Sequence, residues 1–413
     1  MLLRFRFSNF KSFRDTQELS LVAAGPSEAS RKVRGFEHRV LPVAAIYGAN
    51  ASGKSNVLKA LQFMKTAVED SHRLWKPDGP IPRSPYALDP SYQSKPSEFS
   101  ADFLVGTKRF EYGFLVDDTK VVKEWLHAFP GGNRQVWFSR SGRRVNFWNM
   151  LRGPNKQIAA LLRGNSLLLS AAAQNGHAFL SVASRFFSRA FEPFSERRTI
   201  PPDFGWRLAT DPALQQSISS VLSLADFGIG GIEAEPAKES RTRETSFISN
   251  LARRPFKLVP FHFMHKAGSN LVAMEAKDES MGTLAFLALV CEVLNALDKG
   301  LLITVDEIDA SLHAMLAAWL MQRFNDPHIN TKVSQLIFAT HETSLLSSGL
   351  SRDQIWFTEK DRDGASHLYP LSDFHPQPNE DLQTGYLQGR YGAIPFLNSN
   401  LFLSSMKQHN GKK

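Results

Sequence analysis

One cysteine, Cys291, stands in a chain of 413 residues. No disulfide can form within the chain, and the apolar helical pattern around Cys291 predicts core filler. Long hydrophobic runs are missing too. The longest, 284–291, stops at Glu292 and is far too short to cross a bilayer. The start, Met1-Leu-Leu-Arg-Phe-Arg-Phe, alternates apolar and basic residues without a small-residue cleavage site, so it reads as a strand and not as a secretory leader. A cytoplasmic location without membrane contact is expected. Internal repeats, low-complexity tracts, Cys/His clusters at metal spacing and any Ser/His/Asp arrangement are lacking, so the chain by itself is not expected to be a nuclease.

What remains is ordinary globular composition, 42% hydrophobic and 22% charged, enough for one large core or a few smaller ones. Net charge is +9, from 49 Lys plus Arg against 40 Asp plus Glu, which favours an acidic partner such as nucleic acid. The basic residues fall in short clusters (Arg31-Lys32-Val33-Arg34, Arg140 with Arg143 and Arg144, Arg197-Arg198, Arg253-Arg254) and no single run dominates. Solvated surface is the default reading for each.

Residues 46–55, Ile-Tyr-Gly-Ala-Asn-Ala-Ser-Gly-Lys-Ser, organise the chain. The last eight match G-x-x-x-x-G-K-[ST]. Apolar, β-prone residues 43–47 precede the motif and an amphipathic helical pattern follows it, as a phosphate loop requires. Gly48 and Gly53 let the backbone turn its N–H groups inward with Asn50, Ser52 and Asn56 around them, and the helix N-terminus adds a favourable dipole. Lys54 would reach the β and γ phosphates, and Ser55 would ligate Mg²⁺.

Taken in order, 3–7 and 17–22 alternate with period two as a hairpin-like start, and 43–47 reads as a central strand. A Pro-, Asp- and Ser-rich loop covers 75–96, placed to lie over the nucleotide. Four strands at 98–105, 109–116, 121–129 and 135–139 suggest an antiparallel meander. Helix-compatible segments then dominate 147–255, read as an inserted, mostly helical region whose stretch 235–249 is a loop or hairpin tip. The nucleotide core is expected to return at 259–263, followed by a helix over 284–297 and a strand over 301–305. A helix over 312–324 and a strand over 335–339 come next, then two strands, 354–360 and 367–371, around a turn. These boundaries give a head split into 1–146 and 256–413 by the insertion at 147–255. The fold class expected is α/β, a P-loop NTPase with a mixed sheet and an antiparallel meander.

Asp306 ends an apolar strand, where it can hold Mg²⁺ beside Ser55, the Walker B role. Glu307 follows where a carboxylate can orient or deprotonate the attacking water. His341 ends a second apolar strand at the same carboxyl edge of the sheet, within reach of a γ-phosphate. His313 reads as structural. Ser280 and Gly282 open a helix, where a hydroxyl and a close backbone approach make a second anion site; Ser is also simply a good N-cap.

The order of phosphate loop, long insertion, Ser-x-Gly, Asp-Glu and strand-His resembles the ATP-binding-cassette type of head shared by RecF, SMC and the double-strand-break repair ATPases. That resemblance implies that the signature of one head closes on ATP held by another, as a homodimer or higher homo-oligomer with sandwiched nucleotides. It implies phosphate-loop roles for Asn50, Gly53, Lys54 and Ser55, signature roles for Ser280 and Gly282, a Walker B pair in Asp306 and Glu307, a D-loop at Asp309 and a switch histidine at His341. The signature departs from the usual Ser-Gly-Gly-Gln by reading Ser-Met-Gly-Thr, and Gln93 is only a weak candidate for the Q-loop glutamine.

A closer resemblance spans nearly the whole chain. Phe5-Arg-Phe-Ser-Asn-Phe-Lys-Ser-Phe13, Ala225-Asp-Phe-Gly-Ile229, Glu279-Ser-Met-Gly-Thr283, Asp306-Glu-Ile-Asp-Ala-Ser-Leu-His313, Asp353-Gln-Ile-Trp-Phe357 and Gly389-Arg-Tyr-Gly-Ala-Ile-Pro395 resemble the bacterial AAA-type ATPase/GTPase proteins of the RloA and abortive-infection group. The resemblance implies a phage-defence ATPase beside an effector protein, a nuclease or toxin encoded nearby, in an RloA/RloB-like or PARIS-type system. Preference for ATP over GTP rests on it alone, because no base-reading motif is visible. Three readings stand: a slow ATPase that senses or regulates an effector, a RecF-like DNA-binding repair ATPase, and an ATP-bound scaffold.

Overall fold

The computed structural model describes residues 1–25, 27–193, 200–225, 228–235, 259–309, 313–377 and 380–394. The expected tip at 236–249, Asp226-Phe227, the segment 310–312 and Pro395 lie outside the described residues.

A six-stranded sheet forms the centre, in the order Phe191–Pro193, Leu302–Val305, Gln335–Ala339, Val43–Tyr47, Ile355–Lys360, Ser366–Pro370. The first five strands are parallel, and the last turns back antiparallel. Side chains alternate faces along a strand, and Val43–Tyr47 shows what that means when both faces are covered. Ala44 and Ile46 enter one core cluster, while Val43, Ala45 and Tyr47 enter another. All five residues are fully buried. Such a strand reads as a continuous apolar run.

On one side lies the helix Lys54–Asp70, whose Val57, Leu61 and Met64 face inward. Beyond it stands a seven-stranded antiparallel sheet in the order Arg144–Phe147, Gln135–Ser141, Val121–Ala128, Lys108–Val116, Ser97–Val105, Leu2–Ser8, Gln17–Ser20. The inner face is aromatic, with Phe5, Phe7, Phe99, Phe103, Phe110, Phe114 and Phe138 fully buried. On the other side, helices Met281–Lys299 and Ala314–Asn325 cover the parallel sheet. Met281–Lys299 is, by length and composition, apolar enough to cross a membrane. Eight of its residues pack in the core, which accounts for that composition. Cys291 is one of them, 5% exposed, and burial pushes its thiol up to about 12.

Three features differ from the sequence reading. The meander carries a fifth strand, Arg144–Phe147, and joins the N-terminal hairpin in one sheet. Residues 259–263, expected to return to the nucleotide core, belong instead to a separate three-stranded sheet of Ile229–Ala234, Phe261–Ala267 and Asn270–Glu275. Helices do recur through 155–190 and 204–225, but the short strand Phe191–Pro193 leaves them to pair in parallel with Leu302–Val305. Three residues, Phe-Glu-Pro, carry no readable period, and only the exposed edge of the parallel sheet makes them a strand.

Candidate functional site

Three strand ends of the parallel sheet meet at its carboxyl edge, where ligands bind in open α/β sheets. Val43–Tyr47 runs into Gly48, Leu302–Val305 into Asp306, and Gln335–Ala339 into Thr340 and His341. The loop after Tyr47 depends on its glycines. Gly48 has φ +154°, and a Cβ there would stand 2.4 Å from the carbonyl oxygen of Thr358. Gly53 has φ +122° and would meet Ser366 Oγ at 2.7 Å. Ala51 between them takes φ +63°, a conformation non-glycine residues adopt where the surroundings over-determine it.

The helix starts at Lys54, with Gly53 as its N-cap and no side-chain cap. Its first amides therefore have no partner within the helix. Lys54 is 8% exposed. Its ammonium donates to the carbonyls of Gly48 at 2.8 Å and Ala49 at 3.1 Å, and it forms no ion pair among the described residues. Burial holds its pKa below the ordinary lysine value, opposed by the carboxylates of Asp306, Glu307 and Asp309. A buried cation facing free amides is a cradle for an anion.

Ser55 Oγ donates to Asp306 Oδ1 at 3.1 Å across 251 residues of sequence. A hydroxyl and a carboxylate so placed are hard oxygen donors suited to Mg²⁺. Among the described residues no group of three or more His, Cys, Asp or Glu could form a cage, so such an ion would take phosphate and water oxygens for the rest of its shell. Ser55 and Asp306 thus fit the ion that the phosphate loop implies. Glu307 follows, exposed and at φ +48°, before the chain turns back so that Ile308 N–H bonds the Ala339 carbonyl at 3.2 Å.

That crossing brings Asp309 under the next strand end. Its carboxylate accepts from Thr340 Oγ1 at 2.5 Å and pairs with His341 Nε2 at 3.3 Å. His341 remains largely exposed. Glu342 caps the following turn, and the Ser344 backbone N–H holds its carboxyl below the usual range. Tyr47, just before the loop, is fully buried with no hydrogen-bond partner for its hydroxyl among the described residues; burial first, then Asp309 and Glu342, push its pKa well up.

Sequence reasoning placed Gly48, Gly53, Lys54, Ser55, Asp306, Glu307, Asp309 and His341 at this edge, and the fold brings them there. Ser52 and Asn56 turn the other way. Ser52 Oγ shares a hydrogen bond with Thr358 Oγ1 at 2.6 Å, and Asn56 Nδ2 donates to Ser12 Oγ at 2.8 Å. These two side chains hold the loop against its surroundings. Asn50 lies partly exposed in the loop. Ser280 caps Met281–Lys299, its Oγ accepting from Thr283 N–H at 3.0 Å, with Gly282 in the first turn and Met281 81% exposed. The hydrogen bonds of Ser280 stay within its own helix turn. His313 is a structural N-cap, accepting from Met315 N–H at 3.3 Å. Gln93 ends a short turn of helix, exposed, its carbonyl held by Arg83.

Sequence reasoning missed Ser12, Thr358 and Ser366. They reach the loop from opposite ends of the chain, and no local pattern marks them. The 75–96 segment packs on the same wall: Lys11 N–H bonds the Ser84 carbonyl, and Tyr86 OH bonds that of Asp363.

No curated protein matches the chain. The family described as "AAA domain, putative AbiEii toxin, Type IV TA system" matches residues 43–347, more than half of the chain, and that span opens with the strand that feeds the phosphate loop and ends past His341. By this match the chain belongs to that family of AAA-type P-loop ATPases linked to abortive infection.

Proposed function

We propose that the protein is a Mg²⁺-dependent, slowly hydrolysing ATPase head of ATP-binding-cassette type that senses for, or regulates, a partner effector in anti-phage defence. The observation that carries this reading is the 3.1 Å bond from Ser55 to Asp306, beside a buried Lys54 and an exposed Glu307. In this reading the loop amides and Lys54 bind the phosphates. Ser55 and Asp306 hold Mg²⁺, which would neutralise charge on the phosphate oxygens. Glu307 orients or deprotonates water, and His341, steadied by Asp309, faces the terminal phosphate.

The exposed Ser280-Met281-Gly282 turn supports a second part of the proposal. It bonds only its own helix, so it is open to meet nucleotide on another copy, giving a homodimer or higher homo-oligomer. The helical region within 147–255 would then carry the effector, a nuclease or toxin encoded nearby, as in RloA or PARIS-type systems. The rival reading, a RecF-like DNA-repair ATPase, draws on the +9 charge and requires DNA binding that strengthens with ATP.

Glu307→Gln is the test. It is expected to keep ATP binding and lower turnover by roughly a hundredfold or more, the scale of losing a general base. Lys54→Ala is expected to lose binding. Unchanged turnover in Glu307→Gln overturns the assigned roles. Mass measurement with and without Mg²⁺-ATP, after co-expression with the neighbouring gene product, then separates a switching dimer from a fixed scaffold.

A further inference from the structure

From Trp125 to Phe191 the sequence contains nine Lys and Arg residues and neither Asp nor Glu. The rest of the chain is balanced, so this one stretch accounts for the whole net charge. Part of it builds the outer strands of the antiparallel sheet, and register shows which residues share the face turned away from the core.

On that face Arg4 and Arg6 lie opposite Ser20 and Glu18 on one side, and Asp102 and Ser100 on the other. Next come Glu111 and Gly113, then His127 and Trp125. Lys123 and Trp125 lie opposite Ser141 and Ser139, which lie opposite Arg144 and Asn146. The first half of the face is neutralised internally. Arg4 pairs with Asp102 at 3.7 Å, Arg109 with Asp102 at 2.7 Å, and Arg6 with Glu18. In the second half, Lys123 and Arg144 lie on the face and Arg143 in the turn before Arg144; all three are exposed and form no ion pair among the described residues. The two arginines that do turn inward, Arg140 and Arg163, are held by Glu124 and by carbonyls.

One aromatic ring lies across this second half. A Cβ on Gly113 would stand 2.3 Å from Trp125 Cζ2, so the indole occupies the space that glycine leaves open on the neighbouring strand. The ring remains half-buried. An indole fixed on an open sheet, flanked by unpaired cations and small hydroxyl or amide side chains, combines a stacking platform with phosphate contacts.

We propose that the outer face of strands Val121–Ala128, Gln135–Ser141 and Arg144–Phe147 binds single-stranded nucleic acid, with a base stacked on Trp125 and the backbone along Lys123, Arg143 and Arg144. Charge complementarity selects a polyanion. The flat platform selects unpaired bases over a duplex, whose bases are stacked away. This site is independent of the phosphate loop, so the inference stands or falls apart from the ATPase assignment.

Fluorescence anisotropy with a labelled oligo-dT, at low salt and along a salt series, tests it on the full chain. Wild type is expected to bind with affinity that falls as salt rises. Arg143→Glu with Arg144→Glu is expected to weaken binding tenfold or more and to flatten the log–log salt slope by roughly 1.4, about 0.7 per phosphate contact. Trp125→Ala is expected to weaken it about tenfold, with thermal melting as the check on folding; if that variant does not fold, the double charge reversal decides. The measurement repeated in Lys54→Ala is expected to give unchanged binding. Absence of binding at low salt, indifference to the charge reversal, or a duplex bound as well as the single strand by wild type and Trp125→Ala alike, overturns the proposal. So does selective capture of an acidic protein in place of the oligonucleotide.

Discussion

The two large sheets place charge in opposite ways. In the parallel sheet, Val43–Tyr47, Leu302–Val305 and Gln335–Ala339 are buried residue after residue, because helices cover one face and the helix Lys54–Asp70 the other. No charge fits within these strands, so the chemistry is confined to their ends, at Gly48, Asp306 and His341. The antiparallel sheet has one face free of the core, and there charged residues sit in mid-strand at Arg4, Arg6, Asp102, Arg109 and Lys123. A sheet covered on both faces focuses function at its edge; a sheet covered on one face offers function an area.

The sharpest way to break this contrast is to move a carboxylate from one sheet to the other. Ile337 is fully buried, and Ile337→Asp leaves an unpaired charge between two packed layers. Its cost is expected to exceed about 5 kcal/mol, enough to abolish soluble folded protein. Ser139→Asp, on the open face, is expected to shift stability by no more than about 0.5 kcal/mol. Denaturant titration of the pair measures the difference directly; similar losses in both would remove the distinction.

Next in size is the place where the antiparallel sheet buries a charge on its inner side. Glu124 is 1% exposed and accepts from Tyr112 OH at 2.9 Å, from Arg140 at 3.3 Å and from the amides of Leu168 at 2.8 Å and Leu169 at 3.0 Å. Arg140 in turn donates to the carbonyls of Gly142, Arg163 and Ser166. The pair thus locks the sheet to the helix Leu168–Gln174. Arg140→Met keeps the volume and strands the carboxylate, at an expected loss of about 3–5 kcal/mol. A loss under about 1 kcal/mol in chemical denaturation would mean that the three remaining donors to Glu124, Tyr112 OH and the amides of Leu168 and Leu169, suffice without the cation.

The same contrast governs what could be read from sequence. Buried parallel strands announce themselves as apolar runs, so Val43–Tyr47, Leu302–Val305 and Gln335–Ala339 were legible, and with them the residues at their ends. Helix caps were legible at Ser280, whose hydroxyl precedes an apolar period. Partners far apart in the chain were not. Glu124 looks like one polar residue in an alternating strand, and only the fold shows that it turns inward to meet Arg140 and the start of a distant helix. Phe191–Pro193 has no period of its own, and Phe261–Ala267 alternates as well for a small satellite sheet as for the central one.

Ser366 is the finest case, because it ties the edge chemistry to that unread long-range structure. Its Oγ lies 2.6 Å from the Ser52 carbonyl and 2.8 Å from Ser12 Oγ. A hydroxyl has one hydrogen to share between these two acceptors, and the shorter contact is to the Ser52 carbonyl, so Ser366 anchors that oxygen beside Ser12, which accepts from Asn56. The peptide plane between Ser52 and Gly53 sets that carbonyl and the Gly53 N–H in opposite directions. Holding the oxygen outward on Ser366 therefore turns the amide inward, toward the phosphate cradle. Ser366→Ala leaves a buried carbonyl without its donor, at an expected cost of about 1–2 kcal/mol in denaturation, and it frees the peptide to rotate. Nucleotide affinity is expected to fall severalfold in a variant that is still fully folded at the assay temperature. Unchanged affinity alongside lowered stability would show that Ser366 supports the hairpin Ile355–Pro370 alone, and that the loop holds its amides in place by its glycine geometry.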